Sequence, residues 1–481
     1  MNKTFHILLC IFLSIIMFSC KTKITDDPNA RLSFSADSIK FDTVFTNQGS
    51  STSLLMVYNR NKQAVRIDHI ALAEGANSSF RLNIDGITNE TSSVSNITLE
   101  SGDSLFIFVR ASIDPTDKNN PVLVEDNILF VLNGQTQNVA LQAYGQDVEI
   151  IKATIFENDT TLLGLKPYLI YDYVAIDTAK TLTLAAGCRF YFHDGAQFVV
   201  FGNLNAQGTL EKPITMQSDR IDNLFADVPY SMVANRWDGM YLVQVADNPE
   251  ATYDINHLET RSGTVGIYCI NNSINLHPQL KLKDSRIHNF GLYGLVVQNM
   301  DATITNTEIS NCAQYCVYLS GGEHIFTHTT IASYFNNTNV RIQSVGHEDV
   351  AAVYIDDLNK SSQPTKASFY NSIITGTRQN NLVVATAFEQ QYLGEISHCY
   401  LRNDTIDLPS LNDITYYQKD NKVFRNEYYR YQEYVDYDFT LDSLSPCRNI
   451  ADSVIALDYP LDRQGKNRLA DGKPDLGCYE Y

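Results

Sequence analysis

Features that indicate several common classes of protein are scarce or missing in this 481-residue chain. Its 36 Lys and Arg residues are outnumbered by 55 Asp and Glu, which gives a formal net charge of −19. No basic run is longer than a few residues. Nucleic acid and anionic lipid both bind basic patches, so neither is expected as a partner. No CxxC pair with a matching second half occurs, so no zinc site is expected.

The first 20 residues have the features of a targeting segment. Lys3 supplies a positive start, and residues 5–18 form an apolar run that is too short for a spanning helix and suits a signal peptide. The run ends Met17-Phe18-Ser19-Cys20, which resembles the loose lipobox of Bacteroidetes lipoproteins. The resemblance implies that Cys20 becomes the first mature residue and is lipidated. The alternative is ordinary secretory cleavage beside an incidental cysteine.

A six-residue pattern recurs through the middle of the chain. The clearest copies are LKDSRI (282–287), ITNTEI (304–309) and FTHTTI (326–331), which start 22 residues apart. Further copies start at 255, 369 and 396, and the 43-residue step from 326 to 369 is interpreted as about two coils. The copies lack the i, i+3, i+4 apolar spacing of helices and are rich in Thr, Ile and Phe. A fixed period in the twenties therefore predicts a solenoid of β-strands.

Positions within the pattern predict stacked columns of side chains. The third column should form hydrogen bonds from coil to coil, rather than a metal or catalytic site, because strands stack about 4.8 Å apart. The fourth column is mostly small, as a tight bend allows. The fifth column brings Glu259, Arg286 and Glu308 together as a possible Glu–Arg–Glu stack. The six third-column residues are His257, Asp284, Asn306, His328, Asn371 and His398.

The coils resemble those of the right-handed parallel β-helix, or pectin-lyase-like, family. The Gly-punctuated run 181–208 and the following Trp237-Asp238-Gly239 are similar to the first coils of such bacterial proteins. The resemblance implies a right-handed solenoid over residues 150–403. The segment 219–235 does not fit the coil pattern and is interpreted as a loop that leaves the solenoid.

Residues 31–149 have a different sequence pattern from the coils. Residues 21–30, which precede them, are interpreted as a linker. About seven short alternating strands, separated by turn residues, predict a β-sandwich. The stretches 41–44 (FDTV), 102–104 (GDS) and 143–145 (AYG) resemble the immunoglobulin-like modules that precede β-helices in Bacteroidetes lipoproteins. The module is interpreted as a spacer that lifts the solenoid off the membrane, with ligand binding as the alternative.

Residues 404–481 lose the period and divide into an aromatic-rich segment and a terminal module. The terminal stretch ends Gly477-Cys478-Tyr479-Glu480-Tyr481 and resembles the choice-of-anchor Q module. In that family a sorting tail often follows the module. The chain stops at Tyr481, so the lipid at Cys20 is expected to provide the anchor. A solenoid end exposes unpaired strand groups, so we interpret the module as a cap.

Nine cysteines are present, and seven remain once Cys10 of the signal and Cys20 are set aside. An odd number in an oxidising compartment leaves at least one free thiol. Cys447 and Cys478 both lie in the cap and could form a disulfide, while most of the others are interpreted as buried small hydrophobes.

Candidate site residues are few. No local catalytic motif of the pectate lyase or polygalacturonase families is recognised, so the catalytic candidates are Glu259, Arg286, Glu308 and Asp238. Ca²⁺ is expected only if the protein is a lyase. The loop acids Asp219, Asp222 and Asp227 are further candidates for such a site. The tyrosines that could stack on sugar rings, or else cover the last coils, are Tyr428, Tyr429, Tyr431 and Tyr434.

The sequence therefore predicts an all-β chain: immunoglobulin-like sandwich, right-handed parallel β-helix and C-terminal cap. We expect an outer-membrane lipoprotein exposed at the cell surface, monomeric and without cofactor, that binds glycans or adheres without catalysis. The alternatives are a polysaccharide lyase or glycoside hydrolase, and a purely structural envelope stalk. A periplasmic orientation stays open because no clear acidic export signal follows Cys20.

Overall fold

The computed structural model describes residues 23–225, 228–271, 278–334, 351–356, 365–384, 393–403, 411–412, 415–416, 422–427 and 437–481. The signal segment with Cys20, and the candidate tyrosines between 428 and 434, lie outside these residues. The chain divides into two compact units, Met1–Asp147 and Val148–Tyr481. In the part of the chain that the structure describes, no helix has the length and apolar character needed to cross a membrane.

The first unit is an immunoglobulin-like β-sandwich. Alternate residues of its strands are buried, as in β7 (Ser104–Ala111), where Leu105, Ile107 and Val109 join the core, because successive side chains of a strand point to opposite faces. Thr25, in the expected linker, is already part of this unit, since its N–H donates to the carbonyl of Ala64 at 2.9 Å. One sheet has the order β1 (Ser33–Phe34), β3 (Ser53–Tyr58), β7 (Ser104–Ala111), β5 (Phe80–Ile84), and the other β2 (Ser38–Phe45), β9 (Gln135–Gln146), β8 (Val122–Leu132), β4 (Val65–Leu72), β6 (Val94–Leu99).

The second unit is the predicted parallel β-helix, whose strands pair in three ladders. It begins with β10 (Glu149–Phe156) and the long β12 (Tyr168–Ile176), which pairs with the first strand of both ladder B and ladder C. Parallel connections of this kind are almost always right-handed. Ladder A contains β11 (Thr160–Leu162), β13 (Thr181–Leu184), β16 (Asn203–Gln207), β21 (Thr252–Asn256), β24 (Gln279–Lys283), β27 (Asp301–Thr305), β30 (Gly322–Thr327), β33 (Thr365–Tyr370), β36 (Leu393–Ser397) and β38 (Leu411–Asn412).

Ladders B and C complete each coil. Ladder B contains β14 (Arg189–Phe192), β17 (Ile214–Ser218), β22 (Leu258–Arg261), β25 (Arg286–Phe290), β28 (Glu308–Cys312), β31 (Thr330–Ser333), β34 (Ile373–Gly376), β37 (Tyr400–Leu401) and β39 (Thr415–Tyr416). Ladder C contains β15 (Gln197–Val200), β20 (Gly239–Gln244), β23 (Val265–Asn271), β26 (Tyr293–Gln298), β29 (Tyr315–Ser320), β32 (Ala351–Asp356) and β35 (Leu382–Val384).

Short elements lie outside the ladders. The expected loop between β17 and β20 carries a hairpin of β18 (Asn223–Phe225) and β19 (Val228–Pro229) and a 3₁₀ turn, Tyr230–Met232. A second 3₁₀ turn, Gly75–Asn77, lies in the first unit. Near the C-terminus, β40 (Phe424–Asn426) pairs with β41 (Asp438–Leu441), and a short helix α1 (Ser453–Asp458) begins after Asp452, whose side chain accepts a hydrogen bond from the N–H of Val454.

The core of the solenoid is a set of stacked apolar side chains. First-position residues of the six-residue pattern lie near the end of the ladder A strands and face inward. Sixth-position residues face the same core from ladder B, most of them near the start of their strands. Phe326 and Phe369 stack with ring centroids 4.9 Å apart. Each inward column therefore removes apolar surface from water coil after coil, which is the main stabilising contribution of such a fold.

One prediction about the period is wrong. Phe326 is the direct register partner of Phe369, so the 43-residue step is a single lengthened coil and not two. The additional residues fall in the connections between β31 and β32 and between β32 and β33. Strand pairing follows the register of the six-residue pattern, whereas residues inserted into a connection do not alter it.

Candidate functional site

The turn between ladders A and B explains the polar third column. All six of its residues have φ between +47° and +51°, in the left-handed region. Asn, Asp and His enter this region more readily than other non-glycine residues because a short polar side chain can bond locally. The residue types of this column therefore reflect the left-handed backbone conformation of the turn. From the sequence alone, the column was interpreted as a hydrogen-bonded ladder.

The hydrogen bonds of this column are only partly those predicted. Asn371 Nδ2 lies 3.1 Å from His328 Nε2, a bond between coils. Asn306 instead bonds to the C-terminal cap, donating to the carbonyl of Leu461 at 2.9 Å and accepting from Arg468 Nη2 at 3.0 Å. The polar turn residues thus serve as docking points for the cap.

The fourth column carries bonds between coils that the sequence analysis did not assign to it. Ser285 Oγ accepts from the N–H of Leu258 at 3.1 Å, and Ser372 Oγ accepts from the N–H of Thr329 at 3.1 Å. The Ser285 hydroxyl donates in turn to the carbonyl of Lys283 at 2.7 Å. These hydroxyls satisfy backbone groups at the bend, which explains why the position is small and polar.

The fifth column has the predicted register. Glu259 lies beside Arg286, and Arg286 lies beside Glu308, on consecutive strands of ladder B. Arg286 Nε donates to Glu308 Oε1 at 2.9 Å. The cap adds Arg463, whose Nη2 donates to Glu259 Oε1 at 2.8 Å.

Glu308 is covered as well as paired. Its side chain is 1% exposed, and its carboxylate also accepts from Ser310 Oγ at 2.6 Å and from the hydroxyl of Tyr479 in the cap. Burial alone would raise the pKa of Glu308, but the guanidinium groups of Arg286 and Arg463 hold it below its ordinary value. A carboxylate that is kept charged and has no access to solvent is poorly suited to act as a general acid.

The other candidate acids are also bound to neighbouring side chains. Asp238 accepts from the hydroxyl of Tyr241 at 3.1 Å and from the side-chain amide of Gln197. Asp219 pairs with His193 Nδ1 at 2.7 Å. Asp222 accepts two hydrogen bonds from Arg220, each at 2.7 Å. Asp227 lies outside the described residues.

The described residues contain no group of three or more His, Cys, Asp or Glu side chains arranged to hold a metal ion. A shallow cavity of about 340 Å³ opens over ladder A. Its lining combines polar residues, among them Asn203, Asn205, Asp254 and Lys281, with Leu204 and Tyr253.

Cys447 and Cys478 are free thiols in the structure, so the disulfide considered from the sequence is not formed there. Both are buried in one hydrophobic cluster with Leu476 and Phe439. Burial raises the pKa of Cys478 to about 12. The five other described cysteines are also buried and free, as their interpretation as small hydrophobes requires.

The described aromatic residues between 424 and 439 form a cover. Phe424, Tyr437 and Phe439 are buried and pack with Tyr334 and Tyr400 of the last coils. This arrangement matches the covering role that the sequence analysis set against sugar stacking. The four candidate tyrosines themselves lie outside the described residues, so their role stays a prediction.

A row of tyrosines lies on the outer side of ladder C, and it was not predicted from the sequence. Tyr241 is the register partner of Tyr268, and Tyr318 is the partner of Tyr354. Val296 occupies the coil between them. We call this surface the tyrosine face, and its members are Tyr241, Tyr268, Tyr293, Tyr315, Tyr318 and Tyr354.

The rings of the tyrosine face stack along the solenoid. Tyr241 and Tyr268 have centroids 5.9 Å apart, Tyr293 and Tyr315 are also 5.9 Å apart, and Tyr315 and Tyr354 are 4.5 Å apart with an angle of 13° between their planes. All but Tyr315 are half-buried, so ring surface is open to solvent. Tyr293 and Tyr315 each follow the start of their pattern copy (282 and 304) by 11 residues, a signal that could have revealed the row.

Hydroxyl groups of the tyrosine face are held by acceptors at its borders. Tyr241 donates to Asp238, Tyr268 donates to Gln298 Oε1 at 3.1 Å, and Tyr318 donates to Asp356 Oδ2 at 3.1 Å. Burial, reinforced by the carboxylate of Asp356, raises the pKa of Tyr318. The rings are therefore fixed in position before any ligand arrives, which lowers the entropy lost on binding.

Comparisons with known proteins identify no family. No family model and no curated protein matches the chain. One matching solved structure is the ASH/PapD-like domain 7 of human CEP192, with 16% identity and a TM-score of 0.17 over 27% of this chain and 96% of that chain. Another is a family 123 glycoside hydrolase from Clostridium perfringens, with 6% identity and a TM-score of 0.18 over 25% of this chain and 30% of that one. TM-scores of this size carry no structural argument.

Proposed function

We propose that this chain is a lipid-anchored protein of the cell envelope, exposed at the surface, whose β-helix binds an extended glycan on the tyrosine face without cleaving it. The carrying observation is the row of half-buried, pre-positioned tyrosines that runs from coil to coil. An aromatic plane suits the C–H face of a sugar ring.

The contacts of Glu308 support binding rather than cleavage. Glycoside hydrolases need two carboxylates with a free path to the scissile bond. Here the side chain of Arg286 stands between Glu259 and Glu308 in the column, and the cap covers Glu308. The resemblance of residues 17–20 to a Bacteroidetes lipobox supports the placement that we propose, in the outer membrane of such a cell. A polysaccharide lyase, a glycoside hydrolase and a structural stalk are the outcomes that the experiment must separate.

Affinity gels test the proposal. We expect purified protein, from residue 21 onward, to be retarded by at least one of a panel of plant, host and bacterial polysaccharides. The Tyr241→Ala/Tyr268→Ala double variant should bind about 5–30-fold more weakly, the factor for a loss of 1–2 kcal/mol. Tyr144→Ala is the matched control, because Tyr144 is 47% exposed in the first unit and outside the tyrosine face.

The same samples are assayed for reducing ends and for ultraviolet absorbance of unsaturated products, with Ca²⁺ present. Product formation would contradict binding without cleavage and would indicate a glycoside hydrolase or a polysaccharide lyase. If the double variant is retained as strongly as the wild type, the glycan does not bind on the tyrosine face. Absence of both retention and product across the panel would favour the structural stalk.

A further inference from the structure

The charge of the tyrosine face narrows the class of glycan. All seven strands of ladder C are described, and they contain no Lys or Arg. Their only charged residue is Asp356, at the end of β32. Asp238 adds a second carboxylate directly before β20. The face therefore presents aromatic rings, with the half-buried Asp238 beside its first strand that carries a tyrosine, and its strands contain no cation.

Polar groups at the border hold the tyrosine hydroxyls. Gln298, Ser320 and Asp356 form one column, each on the strand next to the previous one, and they run beside the tyrosines. All three are buried, and Gln298 and Asp356 accept hydrogen bonds from Tyr268 and Tyr318. A uronate or a sulfate would bring negative charge to a surface whose strands supply no Lys or Arg.

The length of the row indicates a polymer rather than a single sugar. Tyr241 and Tyr354 are separated by four steps of ladder C, through Tyr268, Val296 and Tyr318. At the spacing of neighbouring strands this is roughly 19 Å. Weak contacts repeated along such a row add up only for a ligand that lies along several coils.

Resting on the proposed function, we propose that the glycan is a neutral polysaccharide and that the tyrosine face rejects polymers rich in uronate or sulfate. Proteins hold carboxylates and sulfates with Arg or Lys, because charge-assisted hydrogen bonds offset the loss of hydration. The strands of the face, all of which are described, lack these groups, and Asp238 lies directly before β20. The net charge of −19 adds a long-range repulsion of polyanions.

The test compares two forms of one polymer. A neutral polysaccharide that the protein retains is oxidised at its primary alcohols to carboxylates, which keeps backbone and linkage and changes only charge. We expect retention of the oxidised form to fall at least about tenfold at low salt. High salt should restore part of the loss, because screening weakens repulsion between charges near the surface.

A charge variant supplies the converse test. Ile270 is half-buried in the column that contains Gln298, so Ile270→Lys places a cation on the face. The oxidised polymer should retain the Ile270→Lys variant more strongly than the wild type. Ile270→Gln is the control for size and polarity. Fluorescence of Trp237, buried in the same unit, checks that both variants are folded.

The outcomes separate the two proposals. Equal retention of neutral and oxidised polymer, or a panel in which only acidic polymers are retained, would overturn the inference about class and leave glycan binding in place. Retention of the oxidised polymer only when Ca²⁺ is added would also overturn it, because the carboxylates would then bridge to uronates through the metal. Retention of no glycan at all would overturn the proposed function and the inference with it.

Discussion

Among single residues, Glu259 and Glu308 show how tertiary surroundings separate two positions that the sequence treats alike. Both occupy the fifth column of ladder B, two coils apart, with Arg286 between them. The side chain of Glu259 is 44% exposed, whereas that of Glu308 is 1% exposed beneath Tyr479. Only the folded cap distinguishes a surface ion pair from a buried one.

This difference predicts unequal effects on stability. Glu308→Ala should lower the free energy of unfolding of the second unit by about 3–5 kcal/mol, because it leaves buried guanidinium charge without its partner. Glu259→Ala should cost about 0–1 kcal/mol, as exposed pairs do. Urea unfolding followed by the fluorescence of Trp237, the chain's single tryptophan, measures both changes in the second unit. Equal losses would contradict the buried role of Glu308.

The stabilisation that the Arg286–Glu308 pair provides should depend on pH with a defined sign. The folded state holds the pKa of Glu308 below its ordinary value of 4.5, so its stabilisation is present above that pH. It is lost as the pH falls through the folded-state value. The gap in unfolding free energy between the wild type and Glu308→Gln should therefore shrink on acidification below 4.5. A gap that widens in acid would contradict the direction of the shift.

Among the elements, the C-terminal cap is held along the flank of the solenoid by its backbone as much as by its side chains. The N–H of Gly477 donates to the carbonyl of Asn371 at 2.8 Å, and the N–H of Cys478 donates to Thr330 Oγ1 at 3.1 Å. Gly477 has φ +84°, and a Cβ there would lie 2.6 Å from Thr330 Oγ1. The glycine of the terminal motif thus allows the cap to touch ladder B.

Gly477→Ala is expected to loosen the cap. A left-handed alanine costs about 1–2 kcal/mol, and the clash with Thr330 adds to it. Gly472→Ala is the matched control, since Gly472 has φ +76° but a Cβ added there would meet no atom within 4 Å. Amide hydrogen exchange across residues 447–481 should accelerate more in Gly477→Ala than in the control. Equal acceleration would show that the close approach to ladder B does not hold the cap.

At the scale of the whole molecule, the chain forms two units with separate cores. The first unit has its own cluster of buried residues, and so does the solenoid. The role proposed for the first unit is to space the glycan-binding face from the membrane. That role needs an anchor at the N-terminal side, which the resemblance of residues 17–20 to a lipobox supplies.

Cys20→Ala is expected to move the full-length protein from the membrane fraction to a soluble or uncleaved form. The physical reason is that acyl chains, each contributing about 0.8 kcal/mol per buried CH₂, hold a lipoprotein on the bilayer. Fractionation of cells and labelling with a fatty acid measure the change, and Cys10→Ala, within the signal segment, is the control. An unlabelled wild type would contradict lipidation and favour ordinary secretory cleavage.

Local repetition made the architecture predictable. The copies at 282, 304 and 326 stack in register as their spacing indicates. The prediction of two coils for the 43-residue step was wrong because spacing alone cannot distinguish a skipped copy of the pattern from a lengthened connection. The tyrosine face was missed because its residues stand on the third strand of each coil, where the pattern copies do not reach.

The sequence by itself determined the periodic features: the β-helix, the sandwich before it, the polar bend column and the shared column of Glu259, Arg286 and Glu308. These follow from side-chain chemistry repeated at a fixed interval, which specifies strand register without knowledge of distant contacts. Tertiary structure alone decided that Tyr479 and Arg463, more than 150 residues away in sequence from Glu308, cover that carboxylate. It also decided that the other tyrosines of ladder C join Tyr293 and Tyr315 in one row, since only these two share the 11-residue offset from the pattern. Burial and pairing across such separations depend on where the chain returns, and no local pattern encodes that.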